Sequence, residues 1–183
     1  MGTEGVFTPI VPADSDILLG EGIYYADYGE VGQAIIGATR GGSKVEIEKV
    51  IKEMEYDGGY GHTKELRRYT RYVPRFMVNL LKMTYTSLGY AMPMDSTDLG
   101  DYKEMVWRLN IEDTDYLTNI TFVGNKHDGT AVIIKILNPL NDGNIVLDFK
   151  EKDELVSELQ YTGHYAAATP TTPPILIWEY KAA

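Results

Sequence analysis

No cysteine occurs among the 183 residues of this chain. That excludes a disulfide scaffold, a thiolate zinc site and a cysteine nucleophile, and it is compatible with a reducing compartment. Cations are scarce relative to acids, with 17 Lys and Arg against 27 Asp and Glu, a formal charge of −10 and a sequence pI of about 4.7. Tight binding to phosphate backbones needs clustered Lys and Arg, so a nucleic-acid clamp is disfavoured. The acid surplus serves solubility or a surface that must not hold nucleic acid, and charge alone does not separate the two. Long apolar runs are also missing. The best, residues 131–137, is interrupted by Lys135 and falls far short of the roughly 20 residues a membrane helix needs. Residues 1–7 have neither the basic nor the apolar region of a secretory leader, so none is expected. The histidines, His62, His127 and His164, are far apart and show no ligand spacing. They read as solvated side chains, and no metal or cofactor is expected.

What is present points to β structure. Tyrosine, at 14 residues against four Phe and two Trp, favours pleated, half-buried surfaces and carries a polar handle suited to interfaces. Period-two patterns and turn signals place strands at 17–26, 31–37, 45–56, 68–83, 104–110, 117–124, 130–137, 145–149, 155–165 and 175–180. Asp128-Gly129 is a hairpin signal, and 138–143 reads as a further turn. In 45–56, Val45 and Ile47 share one parity while Val50, Met54 and Tyr56 take the other. Such a switch predicts a bulge or a passage between two environments. Pro74 within the next strand marks an edge, a bulge or a break. The best helix lies at 84–92, capped by Thr84 or Thr86 and stopped by Pro93. The expected fold is mainly β: two packed antiparallel sheets, a sandwich or partial barrel, with one short flanking helix, a long inter-strand loop and extended terminal arms. Residues 1–16 form the N-terminal arm, 17–165 the domain and 166–183 the C-terminal arm.

Catalytic patterns are absent. Residues 37–44, Gly-Ala-Thr-Arg-Gly-Gly-Ser-Lys, have the wrong order for a phosphate loop, and a strand rather than a helix follows. A turn between strands is expected there. The acid pairs Asp14/Asp16, Glu46/Glu48, Glu53/Glu55 and Asp113/Asp115 lack the unlike environments that a hydrolytic pair needs. Asp113-Thr-Asp115 also lacks the glycine and closing glutamate of a calcium loop. The chain is not expected to be an enzyme.

The most informative stretch is residues 35–81. Two long strands there flank a polar loop, Asp57, Gly58, Gly59, Tyr60, Gly61, His62, Thr63, Lys64 and on to Arg67. A turn of two to five residues closes a hairpin, so a longer loop suggests contact outside its own domain. Its glycines make it mobile until docked. The basic cluster Lys64, Arg67, Arg68, Arg71 and Arg75 is either a solvated face or one that meets acid on a neighbouring copy.

The segment Ile36-Gly37-Ala38-Thr39-Arg40-Gly41-Gly42-Ser43-Lys44-Val45-Glu46 carries a resemblance when taken in order with Asp57-Gly58, Leu66-Arg67-Arg68, Pro74-Arg75-Phe76 and Val78-Asn79-Leu80-Leu81. The set resembles the major tail tube proteins of tailed bacteriophages. The likeness continues more loosely through Tyr161-Thr162-Gly163-His164-Tyr165 and Pro173-Pro174-Ile175-Leu176-Ile177-Trp178, covering most of the chain from about Leu18. The resemblance implies a non-catalytic subunit that forms rings, commonly hexameric, stacked into a hollow tube for genome delivery. It implies that Asp57–Arg67, with Arg68 beside it, reaches an adjacent ring or subunit, and that the terminal arms add inter-ring contacts. It implies a negative lumen past which DNA slides, for which Glu46, Glu48, Glu53 and Glu55 are the candidate acids. Implied partners are further copies of the chain and other tail proteins (tape measure, tail terminator, baseplate or distal tail), with no membrane. The implied location is the virion tail, after assembly in the bacterial host cytoplasm. Alternatives are the inner tube of a contractile injection apparatus, a β-sandwich module that binds carbohydrate or protein, and a small carboxylate hydrolase.

Overall fold

Alternating side chains and glycine-marked turns resolve into eleven strands and one helix in the computed structural model. It describes residues 18–37, 39–57, 61–81, 84–147 and 156–179. The strands are β1 (Leu18–Ala26), β2 (Ala34–Ile35), β3 (Thr39–Glu53), β4 (Arg67–Leu80), β5 (Met94–Asp98), β6 (Lys103–Trp107), β7 (Asn119–Lys126), β8 (Ala131–Leu137), β9 (Pro139–Asn141), β10 (Ser157–Gly163) and β11 (Ile175–Glu179). Helix α1 spans Tyr85–Ala91. One sheet has the order β11-β8-β7-β1-β2, a second β3-β4-β10-β9, and β5-β6 form a separate hairpin. Each pairing is antiparallel. The expected mainly β fold with packed antiparallel sheets and one short helix is borne out.

The two larger sheets enclose the core. Tyr24, Ala26, Ile120, Phe122 and Ile136 from the first sheet meet Phe76, Val78, Leu80, Leu159 and Tyr161 from the second. Tyr24 ties the layers together. Its ring packs edge-on against Phe76 at 5.8 Å and beside Phe122 at 5.0 Å, and its hydroxyl is hydrogen-bonded to that of Ser43. Gly22, opposite Gly124 in the β1–β7 ladder, belongs inside β1 because a Cβ there would strike the Phe122 ring. This glycine thus makes room within the strand for an aromatic ring. Asn119, fully buried, is held by three bonds through its amide: Oδ1 accepts from Tyr28 N and from the Thr121 hydroxyl, and Nδ2 donates to Tyr28 O. This fixes the turn after β1, where Asp27 at φ 52° accepts from Thr118 N.

Helix α1 starts where expected. Thr84 accepts from Ser87 N, and Ser87 Oγ accepts from Thr84 N, a reciprocal cap that offsets unpaired donors of the first turn. The Asp128-Gly129 hairpin joins β7 to β8, with Gly129 at φ 85°. Several local expectations are corrected. Residues 39–42 are not a turn but the start of β3, and Gly42 at φ 86° lies in the register shift between Thr39 and Ser43. Within the expected 138–143 turn, residues 139–141 form strand β9, paired with β10. Residues 145–147 are not in a strand. The strand expected at 104–110 stops at Trp107, and its partner β5 was not anticipated because Met-Asp-Ser-Thr-Asp shows no apolar alternation. Residues 175–179, expected in the C-terminal arm or as a short strand, pair with β8 as an edge strand. The N-terminal arm at 1–16, Ala38, Gly58, Gly59, Tyr60, the 82–83 strand end, 148–155 and 180–183 lie outside the described residues.

Two measurements test this core. Burial pushes the Tyr24 phenol up to about 12 from 10.0. Because the folded value is raised, the stabilising contribution is full below pH 10, fades above it and is gone beyond about pH 12. Absorbance titration near 295 nm should show late-ionising phenol coincident with alkaline unfolding; ionisation of every tyrosine near pH 10 with the fold intact would contradict this placement. Tyr161 is fully buried and its hydroxyl has no hydrogen-bond partner among the described residues. Tyr161→Phe should therefore be neutral or stabilising by up to ~1 kcal/mol in chemical denaturation, since an unpaired buried hydroxyl costs free energy. A loss above ~1 kcal/mol would show that the hydroxyl is satisfied.

Candidate assembly interface

Strands β3 and β4 are 15 and 14 residues long, but β10 pairs with β4 only over residues 75–80. Residues 67–74 of β4 therefore pair with β3 alone, and the distal part of the hairpin is a two-stranded ribbon. Such a ribbon is marginal in water without a third strand or a packing partner. Its inner edge is steadied where Tyr72 N donates to the Tyr165 hydroxyl at 2.8 Å, and Pro170, Thr171 and Pro173 line a hollow there with Tyr69 and Tyr72. The opposite edge, all of β3, has no neighbouring strand among the described residues. Alternating Lys and Glu along β3 discourage indiscriminate pairing there.

The parity switch read from Val45, Ile47 and Val50 has a structural counterpart, with a difference. The register shifts between Val50 and Ile51, but the extra residue is Thr70 on β4, since Val50 pairs with Arg71 and Ile51 with Tyr69. Thr70 Oγ1 donates to Val50 O at 3.0 Å and holds the bulge. The bulge brings Tyr69 to the same side as Tyr72, their rings 5.3 Å apart, where a regular strand would set them on opposite faces. Ile51, 43% exposed, and Tyr69, 54% exposed, thereby form an uncovered apolar surface at the ribbon. Beside it lies a hollow of about 330 Å³ lined by Ile51, His62, Lys64, Arg67, Arg68 and Tyr69.

The four candidate acids are not brought together. Glu46 and Glu48 share the outer face of the second sheet and are bridged by Arg75, whose Nη1 lies 2.8 Å from Glu48 and 4.0 Å from Glu46. Lys44 Nζ is 2.5 Å from Glu46, and its hydrogen bond and charge hold that carboxyl below the ordinary range. Glu53 has the opposite parity and serves the loop. It pairs with His62 Nδ1 at 2.5 Å, accepts from Thr63 N at 3.3 Å and lies 3.6 Å from Arg67 Nε. Glu55 is exposed beyond the end of β3. Of the expected assembly loop, Asp57, Gly61, His62, Thr63 and Lys64 are exposed or half-exposed, with Arg67 and Arg68 at the start of β4. Residues 64–66 form one 3-10 turn.

Sequence reasoning missed the β5–β6 hairpin as a surface. Val106, Trp107, Leu109 and Ile111 are all exposed there, with Trp107 at 70%. The available signal was the density of apolar side chains at 105–111, broken only by Arg108 and Asn110, with acids on both sides. Among the described residues no group of three or more His, Asp or Glu side chains is placed to hold a metal ion. No helix among them is long and apolar enough to cross a membrane. No protein-family model and no curated protein matches the chain.

If Glu53 latches the loop base, Glu53→Ala should raise hydrogen exchange at the Thr63 amide at least tenfold. The melting temperature should shift by no more than about 2 °C, because solvent-facing pairs are worth little globally. Unchanged exchange at Thr63 would remove the latch.

Proposed function

We propose that this chain is a structural subunit of a bacteriophage tail tube, self-associating into stacked rings, commonly hexameric, around a channel for genome delivery. The observation that carries the reading is the β3–β4 ribbon. It outruns its own sheet, leaves one long backbone edge without a strand partner among the described residues and exposes apolar side chains beside a basic hollow. A monomer gains nothing from such an overhang, whereas a neighbouring copy can pair its edge and cover its side chains. The resemblance of the ordered segments between Ile36 and Trp178 supports the same reading. The partners are copies of this chain and the other tail proteins, the site is the virion tail assembled in a bacterial cytoplasm, and no catalysis is involved.

On this reading the outer face of the second sheet lines the channel. Glu46, Glu48 and Glu158 lie there with Gln160 and Asn79, and Arg75 and Lys44 compensate part of the charge. Around Glu46, Glu48 and Glu158 the acids outnumber Lys44 and Arg75 by three to two, while Lys52, Arg68 and Arg71 continue the same face toward the end of the ribbon; the acidic stretch disfavours retention of DNA phosphates. Glu53, engaged with His62 and Thr63, belongs to the loop and not to the channel.

Negative-stain electron microscopy of the purified full chain at rising concentration should show uniform rings or hollow tubes. Replacing residues 58–63 by a short turn should abolish them while circular dichroism keeps its β signature. A chain that stays monomeric at millimolar concentration would overturn the reading and fit a β-sandwich binding module instead.

A further inference from the structure

Two exposed surfaces of the chain are chemically complementary. At the ribbon, Lys49, Lys52, Lys64, Arg68 and Arg71 are all exposed and form no ion pair among the described residues. Glu55, Asp57 and Glu65 are the exposed acids of the same segment, so cations are in local excess in a chain whose formal charge is −10. Two of these cations, with Ile51 and Tyr69, line the hollow of about 330 Å³. The β5–β6 hairpin is the converse. Asp98, Asp101, Glu104 and Asp113 are exposed around it, and Trp107 stands 70% exposed beside the fully exposed Leu109.

The hairpin is also held in place. The Arg108 guanidinium clamps it to the following turn, with Nη1 2.5 Å from Glu112, Nε 3.3 Å from Asp95, and Nη2 paired with Asp115. Arg108 N donates to Pro93 O at 3.2 Å. An exposed tryptophan on a fixed support is the type of residue that anchors interfaces, because little freedom is lost when it is covered. Indole faces attract Lys and Arg, and the hollow of about 330 Å³ is lined by Lys64, Arg67 and Arg68 with Tyr69.

We propose that the β5–β6 hairpin of one copy, led by Trp107, docks in the ribbon hollow of the next copy, acids against cations. The inference rests on the self-assembly reading and names the surface that meets the ribbon. The two surfaces differ, so the contact is heterologous. Repeated, it closes into a ring or runs on as a filament, according to the rotation between copies.

A mixing experiment tests it. One variant, Lys64→Glu with Arg68→Glu, loses the hollow but keeps the hairpin; the other, Asp101→Ser with Glu104→Gln, does the reverse without gaining cations that could meet the reversed hollow. All four positions are exposed, and an unchanged thermal melt checks the fold of each. By sedimentation velocity, each variant alone should be monomeric where the wild type associates. Mixed, they should form a 1:1 dimer and stop, because each pair retains one intact contact. Trp107→Ala in the second variant's partner should weaken that dimer at least tenfold. Association of either variant like the wild type, a mixture that stays monomeric, or species beyond a dimer would each overturn the inference. The outcomes also separate it from the tube reading. Wild-type rings with variants that still assemble sink this contact alone, whereas a 1:1 dimer beside wild-type filaments without a lumen sinks the tube alone.

Discussion

The pairing of β3 with β4 extends beyond what covers it, and the other features of the surface follow from that excess. Each residue of a strand carries a donor and an acceptor that need partners. Inside the sandwich, β10 and the opposite sheet supply partners and cover. Beyond Pro74 the ribbon has β3 on one side and, on the other, no strand among the described residues, only the Tyr165 hydroxyl bond and the nearby Pro170, Thr171 and Pro173. Its apolar side chains cannot be explained by a core they do not reach. The Thr70 bulge sharpens the point, because its effect is to gather Tyr69 and Tyr72 on one face, and a face is useful only against something.

Core and ribbon are energetically separate. The core is anchored by Tyr24, Phe76, Phe122 and Tyr161, and by the buried Asn119 amide at the first turn. Changes at Tyr24 or Asn119 act on the whole domain. Changes at Ile51, Arg68 or Glu53 act on a locally supported segment whose opening costs less than global unfolding. This separation is why surface variants can be read as association defects rather than folding defects.

How far the sequence was legible follows the same division. Alternation placed most strands because one face of each is buried, and the Thr84 cap and the Asp128-Gly129 turn are local chemistry that needs no tertiary context. What failed depended on distant partners. β9 contains a proline and sits at an edge, so its turn-like composition hid a strand. β5 is polar because neither face is deeply buried, and a strand with no buried face leaves no period to read. The Val50–Ile51 irregularity was visible as a parity switch, but its inserted residue lies on the partner strand. Glu53 looked equivalent to Glu46 until strand direction was fixed; seven positions apart on a strand, the two point to opposite faces.

Charge presents the sharpest constraint on how copies of this chain can meet. Two bodies of formal charge −10 repel, yet at physiological ionic strength the Debye length is about 8 Å, so charges across the molecule are largely screened from one another. What governs contact is then the charge within the first few ångströms. Most of the surface offers acid to acid there; the ribbon, with five cations unpaired among the described residues, does not. The net charge therefore works as a filter. It penalises random encounters while leaving open those that bring a ribbon to an acidic surface. Added salt pulls two ways, relieving the general repulsion and weakening the specific attraction. An optimum at intermediate ionic strength is the signature of local complementarity within a like-charged chain, whereas a purely apolar contact between such copies would strengthen steadily with salt.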